Sequence, residues 1–218
     1  MTSPHPTPGV NAAQALAELG ATVLQRDWLS SNHIVFAGHA GGEGAAVVDT
    51  GFDSHAPLTL QLLAHALKGE RLGRVLNTHM HSDHCGGNAW LQEAHRCATF
   101  VPEPSFEAVR QWDEEALTFQ ELDQRCRRFH TDAALVPGQA LRLGEANCDI
   151  VAAPGHDPEA VMLFQPEARV LIAGRIGNSN GLWQARQARE THRWPADTGL
   201  DGLELTAATS SCRDPASP

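Results

Sequence analysis

The chain has 218 residues, 42% of them hydrophobic, enough for one large domain or two small ones with a sizeable buried core. A net charge of −10, with Lys68 the single lysine, argues against nucleic acid or an anionic membrane as a partner. No apolar run approaches membrane-spanning length, and five widely spaced cysteines without a CxxC argue against a disulfide framework, so a reduced cytoplasm is the expected setting.

Residues 1–10 are proline-rich, lack the basic and apolar regions of a secretory signal, and read as a disordered leader. Asn11 to Gly20 looks like a short helix. Residues 32–37 and 45–51 read as strands joined in a hairpin through Gly41-Gly42-Glu43-Gly44. Ser54 is placed to cap a helix running to about Lys68, with Leu58, Leu62, Leu63 and Leu67 at helical spacing and Gly69 as its stop. Arg74 to Thr78 reads as a buried strand, residues 87–95 as a helix, and Ala98 to Val101 as a strand. From Glu103 to Phe129 the chain is polar and helix-prone, a covering segment without evident chemistry. Three strand candidates follow, at residues 147–152, 160–164 and 169–173. Strands in blocks with helices between them predict an α/β fold of stacked sheets covered by helices.

Chemistry concentrates in His79-Met80-His81-Ser82-Asp83-His84, directly after the strand at residues 74–78. An extended chain alternates faces, so His79 and His81 are expected to point the same way, with a turn at Ser82 bringing Asp83 and His84 to a neighbouring position. Neutral imidazole and carboxylate are ligands for Zn²⁺ and similar metals, and two adjacent donor pairs suit a two-metal site. The plainer alternative is a histidine-rich surface loop. Further along, Pro154-Gly155-His156-Asp157 sits at a strand's end, where sites are usually built. His79, His81 and His156 would make a three-imidazole site with one position open to water, the catalytic type of zinc site. Cys85 directly follows His84, which leaves a place near a metal open to it, and reads first as a small packing residue. No GxSxG elbow and no GxxxxGK[ST] loop occurs, which removes a serine hydrolase and a P-loop from consideration.

Val47-Val48-Asp49-Thr50-Gly51, the HxHxDH motif from His79 to His84 with Gly86-Gly87 behind it, Pro154-Gly155-His156, and the strand ending Leu171-Ile172-Ala173-Gly174 occur in a telling order. The chain resembles the metallo-β-lactamase-fold hydrolases over roughly residues 25–174, and is more similar to the glyoxalase II-like and general hydrolase branches than to the antibiotic-hydrolysing ones. The resemblance implies a four-layer αβ/βα sandwich with a metal site at one edge, residues 11–174 forming that domain. It implies that His79, His81 and His156 hold a first metal and that Asp83 and His84 hold part of a second. Asp83 would also orient or deprotonate the attacking water, and Asp49 would be a buried acceptor steadying the metal loop.

The family strand usually ends in Gly-Asp, with the Asp bridging both metals, whereas Gly174 is followed here by Arg175. A guanidinium stays protonated and repels a cation. No late Pro-Gly-His follows; His192 is the one histidine beyond residue 174, and its context differs. One zinc is therefore expected, with iron or manganese also compatible with these donors. Residues 175–218 read as a tail without material for the family's last core strand, including loop at Gly177 to Gly181. Two explanations stay open: a shifted reading frame, or a divergent tail with its own helix around Leu182 to Glu190.

These readings lead to a zinc hydrolase using metal-bound hydroxide on an ester, thioester or amide carbonyl of a small-molecule substrate. The alternative is an inactive metal- or ligand-binding remnant, and a mononuclear-iron persulfide dioxygenase ranks last because its carboxylate corresponds to Arg175.

Overall fold

In a computed structural model, residues 15, 17–26, 30–39, 42, 44–119, 125–155, 157–176, 179–187 and 203–207 are described. The apolar runs of the sequence become strands in two six-stranded sheets. The first takes β1 (Ala21–Leu24), β2 (His33–Phe36), β3 (Ala45–Val48), β4 (Leu72–Leu76), β5 (Ala98–Pro102) and β6 (Ala133–Leu135) in chain order. Its first three strands pair antiparallel, and β3 through β6 pair parallel.

A parallel pair needs a crossover, and helices supply it. Helix α1 (Ala56–Leu67) joins β3 to β4. Two helices, α2 (Ser82–Cys85) and α3 (Asn88–His95), lie between β4 and β5, and α4 (Phe106–Gln111) lies between β5 and β6. Lys68 ends α1 in a left-handed conformation (φ 50°), and Gly69 follows at φ 91°, the predicted stop. Ser54 does not cap this helix: it sits inside a 3₁₀ turn, Asp53–His55, which carries the chain into α1 without a side-chain cap.

The second sheet is an antiparallel meander of β7 (Ala140–Leu143), β8 (Ala146–Ala152), β9 (Val161–Gln165), β10 (Val170–Ile176), β11 (Ser179–Gln187) and β12 (Leu203–Ala207). Ile34, Phe36, Val48 and Leu76 of the first sheet meet Leu143, Ile150, Leu163 and Ile172 of the second, so the two pack face to face. On the first sheet's far side Val35, Val47 and Val75 pack against Leu63 and Leu67 of α1 and Leu91 of α3. Strands β3 and β4 are consequently buried on both faces, which is why β3 reads as an unbroken apolar run; in β4 the run is interrupted by Arg74, whose guanidinium donates to the Arg142 carbonyl (2.7 Å). A helical layer over the second sheet's outer face is not among the described residues.

The tail corrects an expectation. Leu182 to Gln187 form strand, not helix, with Leu182 opposite Ile172 and Trp183 opposite Ala207. The free edge of β10 offers backbone donors and acceptors, and pairing with that edge overrides local helix preference. Ser179 to Gly181, read as loop, also join β11. The leader at residues 1–10, Asn11 to Gln14, Gly177, Asn178, Ala188 to Glu190 and His192 lie outside the described residues.

Candidate metal centre

The parallel arrangement of β3 and β4 places their C-terminal ends side by side, and the chemistry sits just beyond. Strand β4 ends at Leu76, so His79 and His81 stand on the following loop and not on the strand as alternation suggested. They still come together: their ring centroids are 4.7 Å apart at 78°, and the His79 and His84 rings are 4.0 Å apart. The turn expected at Ser82 is the short helix α2, which carries Asp83 and His84.

One carboxylate organises the cluster. Asp49, buried and held at φ 59°, accepts through Oδ1 from the Thr78 backbone N–H (2.9 Å). Its Oδ2 accepts from the Thr78 hydroxyl (2.8 Å) and pairs with His84 Nδ1 (2.8 Å). The Thr78 hydroxyl has a single proton, which it gives to Asp49, so at 3.1 Å its oxygen accepts from His79 Nδ1. The Nδ1 atoms of both His79 and His84 are thereby committed as donors. When neutral, each ring presents Nε2 as its lone-pair atom. Sequence reasoning had Asp49 as the buried acceptor but missed Thr78, the relay; its signal was a hydroxyl residue directly before the first histidine.

Electrostatics follow from this wiring. Burial opposes charge on His84, but Asp49 and then Asp83 outweigh it and push the imidazole up to about 10. Burial likewise opposes the charge of Asp83, yet the neighbouring His84 imidazole holds its carboxyl below the usual range. His84 Nε2 has no hydrogen-bond partner, with Asp83 Oδ2 3.4 Å away in an ion pair. Beneath the cluster, buried His33 is pushed down to about 3, first by desolvation and then by the charges of Arg26 and His84.

Amide groups fix the backbone of α2. The His84 carbonyl accepts from Thr50 N–H (2.7 Å) and from Asn77 Nδ2 (3.0 Å). Asn88 donates to Asn77 Oδ1 (2.7 Å) and accepts from the Thr50 hydroxyl (2.7 Å). The second sheet closes in from the other side, where the Val161 N–H donates to the Thr78 carbonyl at 2.8 Å. A Cβ at Gly174 would lie 2.0 Å from Thr78 Oγ1 and 3.0 Å from His79 Nδ1, so only glycine allows this approach.

A cavity of about 10 Å³ lies against His79, bounded also by Ala153, Asp157, Ala160, Val161, Met162 and Gly174. Ala153 and Asp157 flank Pro154-Gly155-His156, and the cavity has room for about one water-sized guest. His156 itself and the side chain of Arg175 lie outside the described residues; the Arg175 backbone follows a bulge in β10 opposite Asn180. Among the described residues, no three His, Cys, Asp or Glu side chains form a group that could hold a metal ion. The donors that are described, His79, His81, Asp83 and His84, suit a small divalent cation in kind, and the buried Nε2 of His84 is the atom such an ion would satisfy.

A family model described as the metallo-beta-lactamase superfamily matches residues 26–203, past the point where the motifs alone gave out. A hydroxyacylglutathione hydrolase of Methylococcus capsulatus is 29% identical over 189 residues, covering 81% of this chain and 63% of its own length. One from Rhodopseudomonas palustris is 24% identical over 149 residues, covering 68% of this chain and 51% of its own. The chain thus spans less than two thirds of these relatives. Among solved structures, the FEZ-1 metallo-beta-lactamase from Legionella gormanii aligns at a TM-score of 0.58 and 14% identity, covering 91% of this chain and 71% of its own. At that identity the likeness is one of fold.

Proposed function

The chain belongs to the metallo-β-lactamase superfamily, and from that premise we propose a metal-dependent hydrolase acting on a small thioester of the acylglutathione kind. The observation that carries the reading is the Asp49 relay, which commits the Nδ1 atoms of two histidines and leaves their buried Nε2 atoms as the positions that would face a metal. The substrate class rests on the hydroxyacylglutathione hydrolases among the relatives.

In this reading His79, His81 and His156 hold zinc, with Asp83 and His84 beside them as further donors. Zinc, when bound, supplies an acidified water and polarises the substrate carbonyl. The protein does the rest. Asp83, an ionised carboxylate at neutral pH, is too weak a base to drive proton abstraction alone; it holds the attacking water by accepting its hydrogen bond. Asp49 and Thr78 keep the imidazole planes in place, so no reorganisation is needed during turnover.

Arg175 favours one competing reading, an inactive remnant that binds a metal or ligand, because a cation there opposes a second metal. Zinc content per chain, combined with turnover of an acylglutathione and of a chromogenic β-lactam, separates the two. Thioester hydrolysis that disappears with chelator and returns with zinc supports the hydrolase. A folded, zinc-replete and inert protein establishes the remnant.

A further inference from the structure

Cys85 ends α2, immediately after His84, and its side chain is fully buried. Its sulfur donates to the Met80 carbonyl (3.3 Å) and lies 3.8 Å from the sulfur of Cys126, a residue 41 positions further along the chain. Both belong to a small core with Val101, Val109, Phe119 and Phe129 beneath the covering segment. Cys126 is only half-buried. The other described cysteines, Cys97 and Cys148, are buried in different clusters.

The segment bearing Cys126 is strapped to α3. The Arg127 guanidinium stacks 4.7 Å over the Trp90 ring and pairs with Glu93 at 2.5 Å. The His130 N–H donates to Gln92 Oε1 (3.2 Å). These contacts hold the segment bearing Cys126 against α3, with its thiol facing that of Cys85. Closing 3.8 Å to a bond of about 2.05 Å takes a movement of roughly 1.8 Å, which one side-chain rotation or a shift of α2 supplies.

We propose that Cys85 and Cys126 form a reversible disulfide that shifts α2 and so couples thiol redox state to the placement of Asp83 and His84. The oxidant is a low-molecular-weight disulfide such as oxidised glutathione. The Cys126 thiol, the accessible one, gives up its proton and attacks one sulfur of the oxidant, forming a mixed disulfide and releasing one small thiol. The Cys85 sulfur then attacks Cys126 Sγ, losing its proton and expelling the second small thiol. Two protein thiols are oxidised and one small disulfide is reduced to two thiols. The Cys85 S–H no longer donates to Met80 O, which loosens the turn that presents the site. The bond stands on the sulfur geometry alone; its effect on Asp83 and His84 rests on the proposed metal site.

The test exposes the full chain to oxidised glutathione, then to dithiothreitol. Expected are a 2 Da mass loss, a fall in free thiols from five to three, and a crosslink between the peptides bearing Cys85 and Cys126. Zinc affinity or thioester turnover should drop roughly tenfold, since displacements of about 1 Å at a site cost up to about 10²-fold, and both should return on reduction. Cys126→Ser and Cys126→Ala should keep reduced-state zinc binding and lose the response to oxidant. A glutathione adduct that persists on Cys126, a crosslink through another cysteine, or a disulfide that leaves zinc affinity and turnover unchanged would overturn the proposal. A reduced protein that binds no zinc would instead refute the proposed function, with the crosslink still read by mass.

Discussion

Asp49→Asn is the most incisive perturbation of the site. Asparagine fills the same volume and tolerates the left-handed backbone at φ 59°, so neither packing nor strain confounds the result. Its amide oxygen can still accept from the Thr78 N–H, but an NH₂ now faces the Thr78 hydroxyl and His84 Nδ1, both of which were donating. His84, buried, loses the charge that held it protonated, and desolvation, already the largest influence on it, pushes its pKa well down from about 10. Breaking a buried charge pair from one side costs about 3–5 kcal/mol. With one of three hydrogen bonds retained, about 3 kcal/mol is expected, or roughly 6–12 °C in Tm for a chain of this size. The relay to His79 breaks as well, so zinc affinity should fall roughly 10–100-fold. The pH profile carries the sign. In the wild type His84 titrates higher folded than its ordinary 6.5, so its stabilisation is full below that pH and is lost as pH climbs through about 10. Asp49→Asn should lack that alkaline loss. Thermal melts from pH 6 to 10, imidazole titration by NMR and zinc titration check all three. An unaltered His84 titration together with wild-type zinc affinity would refute the relay.

The remaining predictions are independent of that variant. Gly174→Ala drives a Cβ to 2.0 Å from Thr78 Oγ1, whose hydroxyl is tied to Asp49, so denaturant unfolding should show about 1–3 kcal/mol lost; unchanged stability would mean that β10 stands farther off. His33, neutral when folded and pushed down to about 3, makes stability fall with acid from pH 6.5 towards 3, by roughly 5 kcal/mol at most; His33→Gln should flatten that limb, and an unaltered acid limb would contradict its burial as a neutral ring. Zinc binding at pH 7 should release a proton from His84, visible as a buffer-dependent calorimetric enthalpy, with affinity tightening as pH rises; a buffer-independent enthalpy would place His84 outside the metal's reach.

Much of the molecule was legible from local pattern. The continuous apolar run of β3 reported burial on both faces, and the runs at β8, β9 and β10 were located within a residue or two at their starts. The histidine cluster was conspicuous by composition, and the rings of His79, His81 and His84 do come together in the fold. Three short strands and one short helix were silent. Strands β1, β6 and β7 have three or four residues each, too few for alternation to rise above chance, and α2 has four.

By itself the sequence determined where side chains of metal-binding kind gather and the order in which buried strands meet them. Only the tertiary structure decided how they work together. Asp49 reaches Thr78 and His84 across 29 and 35 positions because parallel pairing of β3 and β4 aligns their C-terminal ends. The same applies to β11, where an open edge on β10 drew a helix-prone stretch into a sheet. Local composition sets what each side chain can donate or accept, while hydrogen bonds between distant segments exist only after the sheets register.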